Sequence, residues 1–152
     1  ANVSLTGPLG EMTLHADPAR PAVFLAGGID ITPFLSMARH AAQAKLPHQM
    51  ILFYSNRRPQ DAAYLSELHQ LEKSNPNFKL IATMTAAQGA AQSWNGKTSV
   101  INENLLRRHV PDVHAPIYYF AGPGPMVSAM QDMLAKLSVP KSDMRFEPFY
   151  GY

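Results

Sequence analysis

The fold is decided by the stretch AVFLAGGIDITP, residues 22–33. It opens with five apolar residues, a run that is typical of a strand buried on both faces of a sheet. Gly27 and Gly28 follow, and paired glycines allow a sharp backbone turn and a close approach to a ligand. Thr32 is the expected N-cap of a helix and Pro33 its first residue, since a missing N–H group costs nothing there. The stretch therefore predicts a strand, a tight turn and a helix.

Apolar runs and helical patterns alternate along the rest of the chain. The predicted strands are residues 22–26, 50–54, 78–82, 117–121 and 144–146. The predicted helices are residues 34–45, 61–73, 102–109 (with Asn102 as N-cap) and 126–137. Strands joined by helices require right-handed crossovers, which give a parallel sheet covered on both faces. The sequence therefore predicts an α/β fold with a doubly wound, parallel, five-stranded sheet of the Rossmann-like type, whose ligands bind at the carboxyl ends of the strands.

Residues 1–21 differ in character from the remainder. Five apolar residues stand there among turn residues: Val3, Leu5, Leu9, Met12 and Leu14. This spacing indicates a short hairpin or a strand remnant, followed by a linker at residues 17–21. Because an isolated hairpin is marginally stable, we interpret residues 1–21 as the end of a preceding domain with its linker, and residues 22–152 as one domain.

Composition excludes several classes of function. The chain has 152 residues, 46% of them hydrophobic and 16% charged, which is typical of a globular domain. Its net charge is +2 and the basic residues are scattered, so we expect no nucleic-acid partner. The absence of cysteine excludes disulfides and cysteine-ligated clusters from this chain. The six histidines lack paired spacing with carboxylates, so we expect no metal site.

The end of the first predicted strand has the features of an anion site. Free backbone N–H groups and the positive end of a helix dipole face the space above the strand. The alternative is a plain strand–helix turn that needs its glycines for geometry alone. The segment is not a GxGxxG fingerprint, so the local pattern leaves both interpretations open.

Residues 24–33, FLAGGIDITP, resemble the GGxGxTP segment of ferredoxin–NADP reductase-like flavoproteins, which faces the pyrophosphate of a nicotinamide dinucleotide. The resemblance implies that the cofactor-binding residues at this strand end are Gly27, Gly28, Ile29, Asp30, Thr32 and Pro33. Asp30 departs from the family pattern, which has glycine there. A carboxylate facing inward would repel a diphosphate, whereas one facing outward would favour the helix N-terminus.

The ends of the second and third strands bear on the choice of dinucleotide. Ser55, Arg57 and Arg58 are able to bind a ribose or a phosphate, and residues 54–68, YSNRRPQDAAYLSEL, resemble a family segment beside the dinucleotide. A solvated turn is the alternative. The third strand ends near Thr83, also a candidate site residue, and no arginine follows it. In the family this favours NADH, with Arg57 or Arg58 as the alternative partner of an NADPH phosphate.

Residues 121–126, AGPGPM, resemble the CGPxxM segment that lines the family's nicotinamide pocket. The resemblance assigns Gly122, Pro123 and Met126 to that pocket, and Ala121 replaces a cysteine that some members have. The polar stretch before it contains Trp94, which we interpret as a cover for the edge of the core.

The C-terminal segment FEPFYGY, residues 146–152, resembles the E-x-F/Y terminus of the family. It implies two catalytic residues, Glu147 near the hydride path and Phe149 stacked on the flavin, with Tyr150 and Tyr152 as alternatives for stacking. A cover over the sheet edge is the alternative role of these aromatic residues.

As a whole, the resemblance implies the NAD(P)H-binding domain of a flavin-dependent oxidoreductase. Hydride would pass from NADH or NADPH to FAD, held mainly by an upstream FAD-binding domain, and electrons would pass on to ferredoxin, an oxygenase or ferric ion. The segment alone is expected to be inactive. The alternative is a non-catalytic nucleotide-binding regulatory module or electron-transfer subunit. We expect a cytoplasmic location, either free or as the cytoplasmic part of a membrane-anchored reductase.

Overall fold

A five-stranded parallel sheet forms the centre of the molecule. The computed structural model describes residues 2, 4, 12–88 and 93–149, with the backbone alone at residue 149. The strands are β1 (Ala22–Gly27), β2 (Met50–Asn56), β3 (Phe78–Met84), β4 (Ile117–Pro123) and β5 (Met144–Phe149). Their order is β3-β2-β1-β4-β5 and all neighbours are parallel, so the order reverses between β1 and β4. The predicted doubly wound sheet is confirmed.

Helices cover both faces of the sheet. They are α1 (Thr32–Gln43), α2 (Leu65–Ser74), α3 (Glu103–His109) and α4 (Gly124–Lys136), with short 3-10 turns at Gly28–Ile31, Pro59–Asp61 and Lys141–Asp143. Phe34 of α1 and Leu68 of α2 belong to the core on one face. Leu105 of α3 and Val127 of α4 belong to the core on the other. Each helix therefore buries its apolar stripe against the sheet.

β1 lies in the middle of the sheet and contributes to both cores. Phe24 and Ala26 face one core, and Val23 and Leu25 face the other. None of these four side chains is exposed to solvent. The continuous apolar run of β1 therefore reflects burial on both faces, as predicted.

The main differences from the predicted elements are at their ends. Every strand extends further at its carboxyl end, because residues outside the apolar runs, such as Gly27, Asn56 and Gly122, continue the parallel pairing. The second helix begins at Leu65 and not at residue 61, because Pro59–Asp61 form a separate turn and Tyr64 has a left-handed φ of 61°. The predicted N-cap of α3 is confirmed, since the side chain of Asn102 accepts a hydrogen bond from the Leu105 amide at 2.9 Å.

The linker before β1 is bound to the amino-terminal end of the sheet. Arg20 donates to Asp143 at 2.8 Å and to the carbonyl of Ala115 at 2.9 Å. Met12 and Leu14 pack against the first core. The other predicted apolar positions of this segment, Val3, Leu5 and Leu9, lie outside the described residues.

Candidate functional site

A cleft of about 520 Å³ opens at the carboxyl end of the sheet, where the strand order reverses. The predicted site residues that line it are Gly27, Gly28, Ile29, Asp30, Ser55, Arg57, Pro123 and Met126. A larger hollow, about 690 Å³, lies at the opposite end of the sheet beside residues 13–16. We assign function to the smaller cleft because ligands of doubly wound sheets bind at the carboxyl ends of the strands.

The turn after β1 brings backbone close to the cleft. Gly28 has a φ of 61°, and the space that a Cβ would occupy there is open. The Tyr54 hydroxyl donates toward the carbonyls of Gly28 at 2.9 Å and Ala63 at 3.1 Å. Burial raises the pKa of Tyr54 to about 12, so the hydroxyl keeps the proton that it donates. The Tyr54 side chain thus holds the turn at Gly28 from the core side. On the other side of the turn a ligand could come close to the Gly28 backbone.

The predicted role of Thr32 as N-cap is wrong. Thr32 is the first residue of α1, and the position before it is Ile31, which has helical backbone angles and no side-chain cap. The 3-10 turn Gly28–Ile31 runs directly into α1, so the helical path begins earlier than predicted. The amino-terminal end of the helical path therefore lies at Gly28, at the wall of the cleft. Thr32 is exposed and, like Pro33, is not part of the cleft lining.

Asp30 lies within the cleft and not on the outer surface. It is 5% exposed and belongs to the same lining as Gly28 and Arg57. Of the two orientations left open by the sequence, the outward one is therefore wrong. A carboxylate at this place adds negative charge where the turn offers backbone N–H groups to an anion.

The thioether of Met126 lies between the carboxyl ends of β1 and β4. Its Sδ is 2.6 Å from the position of an added Cβ at Gly27 and 2.9 Å from that position at Gly122. A real Cβ does not approach a sulfur so closely. Gly122 is buried beneath Met126 and supports the cleft without being part of its lining.

The two arginines after β2 have different positions. Arg57 lines the cleft, whereas Arg58 is held by Asp61 at 2.9 and 3.1 Å. The carboxylate of Asp61 raises the pKa of Arg58, and the guanidinium lowers the pKa of Asp61. Both groups are therefore charged at neutral pH. Arg58 is engaged by the ion pair and is not part of the lining.

Thr83 does not reach the cleft. It is fully buried, and its hydroxyl donates to the carbonyl of Ser99. Thr85, two residues further, lines the cleft instead, and its amide donates to the Asn56 carbonyl at 2.9 Å. Asn56, Asp61 and Thr85 are the cleft residues missed by the sequence prediction; their nearness in the chain to Ser55, Arg57 and Thr83 was the available signal.

β5 places Glu147 at the same end of the sheet but outside the cleft lining. Glu147 is in register with Ala121 of β4, and it is half-buried. The Phe146 ring stacks on Phe120, with centroids 5.0 Å apart and planes at 12°. Phe149 is described by its backbone alone, which pairs with Pro123. The alternatives for flavin stacking, Tyr150 and Tyr152, lie outside the described residues.

The cleft is lined by the start of a helical segment at Gly28, by Arg57 and by apolar residues that include Ile29 and Met126. This combination suits an elongated anionic ligand with flat rings. Across residues 12–88 and 93–149, His, Asp and Glu side chains nowhere form a group of three that would hold a metal ion. In the same part of the chain, no helix has the length and apolar character needed to cross a membrane.

Comparison with known proteins gives one consistent result. The sequence profile of the oxidoreductase NAD-binding domain matches residues 24–132. The reductase component of propane 2-monooxygenase from Rhodococcus jostii is 29% identical over 152 residues, which cover 97% of this chain and 40% of that protein.

Solved structures show the same fold. The ferredoxin reductase in carbazole 1,9a-dioxygenase has a TM-score of 0.77 at 23% identity, covering 95% of this chain and 42% of its own. A flavohemoglobin from Malassezia yamatoensis, with bound FAD and heme, has a TM-score of 0.76 at 22% identity, covering 95% and 36%. The chain thus spans less than half the length of each of these three proteins.

Proposed function

Because this chain belongs to the oxidoreductase NAD-binding domain family, we propose that it is the NAD(P)H-binding part of a flavin-dependent reductase and prefers NADH. The observation that carries the proposal is the cleft at the switch point of the sheet, where Gly27 at the end of β1 and Gly122 near the end of β4 lie on either side of Met126. Such a point is where doubly wound sheets bind dinucleotides.

The position of each strand end suggests how the dinucleotide lies. β1 is central, with β2 on one side and β4 on the other. The pyrophosphate would lie over the turn that begins at Gly28, because the space that a Cβ would occupy there is open and the start of a helical segment favours an anion. Ser55 and Arg57 would bind the adenosine half, and Pro123 and Met126 would contact the nicotinamide half. The buried Asp30 weakens this fit, because its charge opposes that of the diphosphate.

The chemistry would belong to the cofactors, with NAD(P)H as hydride donor and FAD as acceptor. The residues of this chain would orient the nicotinamide and exclude water from it. The register of Glu147 with Ala121, beside the turn at Gly122, supports its proposed place near the hydride path. Phe149 pairs with Pro123 along the same strand, which supports a position for its ring near the reacting groups, with Tyr152 as the alternative.

We propose that residues 1–21 connect this domain to an FAD-binding domain that precedes it. The firm attachment of Arg20 to Asp143 supports a fixed geometry between the two. The final electron acceptor would be ferredoxin, an oxygenase or ferric ion. The name of the Rhodococcus jostii relative, a monooxygenase reductase component, favours an oxygenase or its carrier protein.

The preference for NADH rests on the ion pair between Arg58 and Asp61. An arginine already bound to a carboxylate is a poor partner for the additional phosphate of NADPH, and the carboxylate repels that phosphate. Arg57 remains available at the cleft for either dinucleotide.

The proposal is tested by a nuclear magnetic resonance titration of the isotopically labelled chain with NADH. We expect saturable changes in the amide signals of Gly28, Ser55 and Met126, while those of Asp112 and His114, at the other end of the sheet, stay in place. Changes confined to the other end, or no saturable change, would exclude binding at this cleft.

A further inference from the structure

Met126 is the only methionine of the chain that is both accessible to solvent and part of the cleft lining. The chain has eight methionines, all within the described residues. Five are buried, each at 7% exposure or less: Met37, Met50, Met84, Met130 and Met144. Met12, Met126 and Met133 are half-buried. Of these three, Met126 alone lines the cleft.

The Met126 sulfur lies close to two glycines. Sδ lies against the backbone of Gly27 on one side and of Gly122 on the other, at distances that would not admit a Cβ at either glycine. An oxygen atom added to the sulfur must therefore project into the cleft, or the side chain must move out from between the two glycines. Either change alters the surface on which the proposed ligand lies.

We infer that Met126 is a site of reversible oxidation by hydrogen peroxide, and that its oxidation weakens dinucleotide binding. This inference rests on the proposed function and adds a means of regulation to it. The sulfur lone pair attacks one peroxide oxygen, the O–O bond breaks, and an S=O bond forms. The sulfur loses two electrons, and the other oxygen leaves as hydroxide, which takes the proton from the transferred oxygen and becomes water. Methionine sulfoxide reductases reverse the change.

The expected effect follows from the change in polarity and shape. Methionine sulfoxide is polar and chiral, whereas the thioether fills an apolar gap. Loss of that contact and intrusion of an oxygen should raise the Kd for NADH about tenfold, as one disrupted contact does.

Met133 provides a matched control. It is half-buried like Met126 and lies on the same side of α4 two turns further along, because seven residues complete nearly two helical turns. It packs against the second core and is not part of the cleft. Peroxide should oxidise both residues, but only the change at Met126 should affect binding.

The experiment titrates the chain with NADH before and after limited hydrogen peroxide treatment, with peptide mass spectrometry to locate the added oxygen. We expect the wild type and Met133→Leu to lose affinity on treatment and to regain it after incubation with sulfoxide reductases. Met126→Leu, whatever its initial affinity, should have the same Kd before and after treatment.

Three results would overturn the inference: resistance of Met126 to peroxide that oxidises Met133, unchanged affinity in chains oxidised at Met126, or an equal loss of affinity in Met126→Leu. Absence of NADH binding by the untreated wild type would instead refute the proposed function, and the inference with it. A failure of regulation is thus distinguishable from a failure of the site.

Discussion

Arg58 and Asp61 form a two-point ion pair at the edge of the cleft, with Nε–Oδ2 and Nη2–Oδ1 distances of 2.9 and 3.1 Å. The pair is exposed, so its contribution to the free energy of unfolding is small. Its effect is electrostatic and local. Under the proposed function, it engages a guanidinium that would otherwise be available to the 2′-phosphate of NADPH, and it places a carboxylate beside the cleft.

Asp61→Asn should therefore shift the preference from NADH toward NADPH. We expect the ratio of the two Kd values to change about tenfold in favour of NADPH, because Arg58 becomes available and one negative charge is removed. Calorimetric titration with each dinucleotide measures the ratio. Glu103→Gln is the matched control, since it removes the partner of Arg107 at 2.8 Å on α3, outside the cleft lining. An unchanged ratio in Asp61→Asn would show that the ion pair has no part in selection.

Asp30→Gly should tighten the binding of either dinucleotide. Asp30 is buried in the wall of the cleft, so removal of its carboxylate should relieve repulsion of the diphosphate. We expect a decrease in Kd of about tenfold, which corresponds to roughly 1.4 kcal/mol. Asp30→Asn separates charge from size, because it keeps the side-chain volume and should give most of the same gain. Weaker binding by both variants would mean that Asp30 assists the ligand.

Gly122→Ala should destabilise the fold and weaken dinucleotide binding, because its Cβ would meet Met126 Sδ at 2.9 Å. Because the Met126 side chain is flexible and can shift, we expect the loss of unfolding free energy to lie at the low end of overpacking costs, about 1 kcal/mol. In the double variant Gly122→Ala/Met126→Ala the collision is removed, so the two losses should not add. Urea denaturation of the wild type, both single variants and the double variant measures the coupling. Strictly additive losses would contradict the contact.

The ring of His15, in its neutral form, holds the linker through two hydrogen bonds. Its Nε2 donates to the carbonyl of Arg20 at 2.8 Å, which leaves Nδ1 to accept from the Tyr119 hydroxyl at 3.0 Å. Burial lowers the pKa of His15, and electrostatic interactions with His48 and Arg20 lower it further. The hydrogen bond to the Arg20 carbonyl and the charge of Asp17 act in the opposite direction. The His48 ring lies edge-on to it at 5.2 Å.

The unfolding free energy should consequently fall as the solution becomes acidic. The unfolded chain protonates His15 near its ordinary pKa of 6.5, and the folded chain does so at lower pH. Between these two pKa values the unfolded state therefore binds more protons than the folded state. The contribution of His15 to the free energy of unfolding is fully present above pH 6.5 and is lost as the pH falls through the pKa of the folded chain. Urea denaturation between about pH 5 and 8 should show a weaker pH dependence in His15→Gln than in the wild type. His40→Gln, which alters an exposed histidine, should leave the wild-type dependence in place.

The strands and their parallel arrangement were predictable because burial on both faces leaves an apolar run in the sequence, as in β1. The N-cap Asn102 was predictable because its side chain acts on an amide three residues away. Residues placed by distant contacts were not predictable. Thr83 is buried because a segment near Ser99 lies over it, and no local pattern encodes that contact.

The adjacent arginines show the same limit within the site. Arg57 and Arg58 are equivalent in the sequence, and only the position of Asp61 determines which one remains available to the cleft. The ends of the strands were placed too early because polar residues such as Ser55 and Asn56 remain paired with their neighbours. The polar residues after each apolar run therefore predicted where the site lies, but they did not predict which of these residues line the cleft.

Calorimetric titration of the chain with NADH and NADPH, separately and at moderate ionic strength, tests the central claim most directly. We predict saturable binding at a single site, tighter for NADH than for NADPH and weakened in Gly122→Ala. The contradicting result would be that neither the wild type nor Asp30→Gly shows saturable binding of either dinucleotide up to about 1 mM. Such a result would exclude a dinucleotide site at the switch point of this sheet.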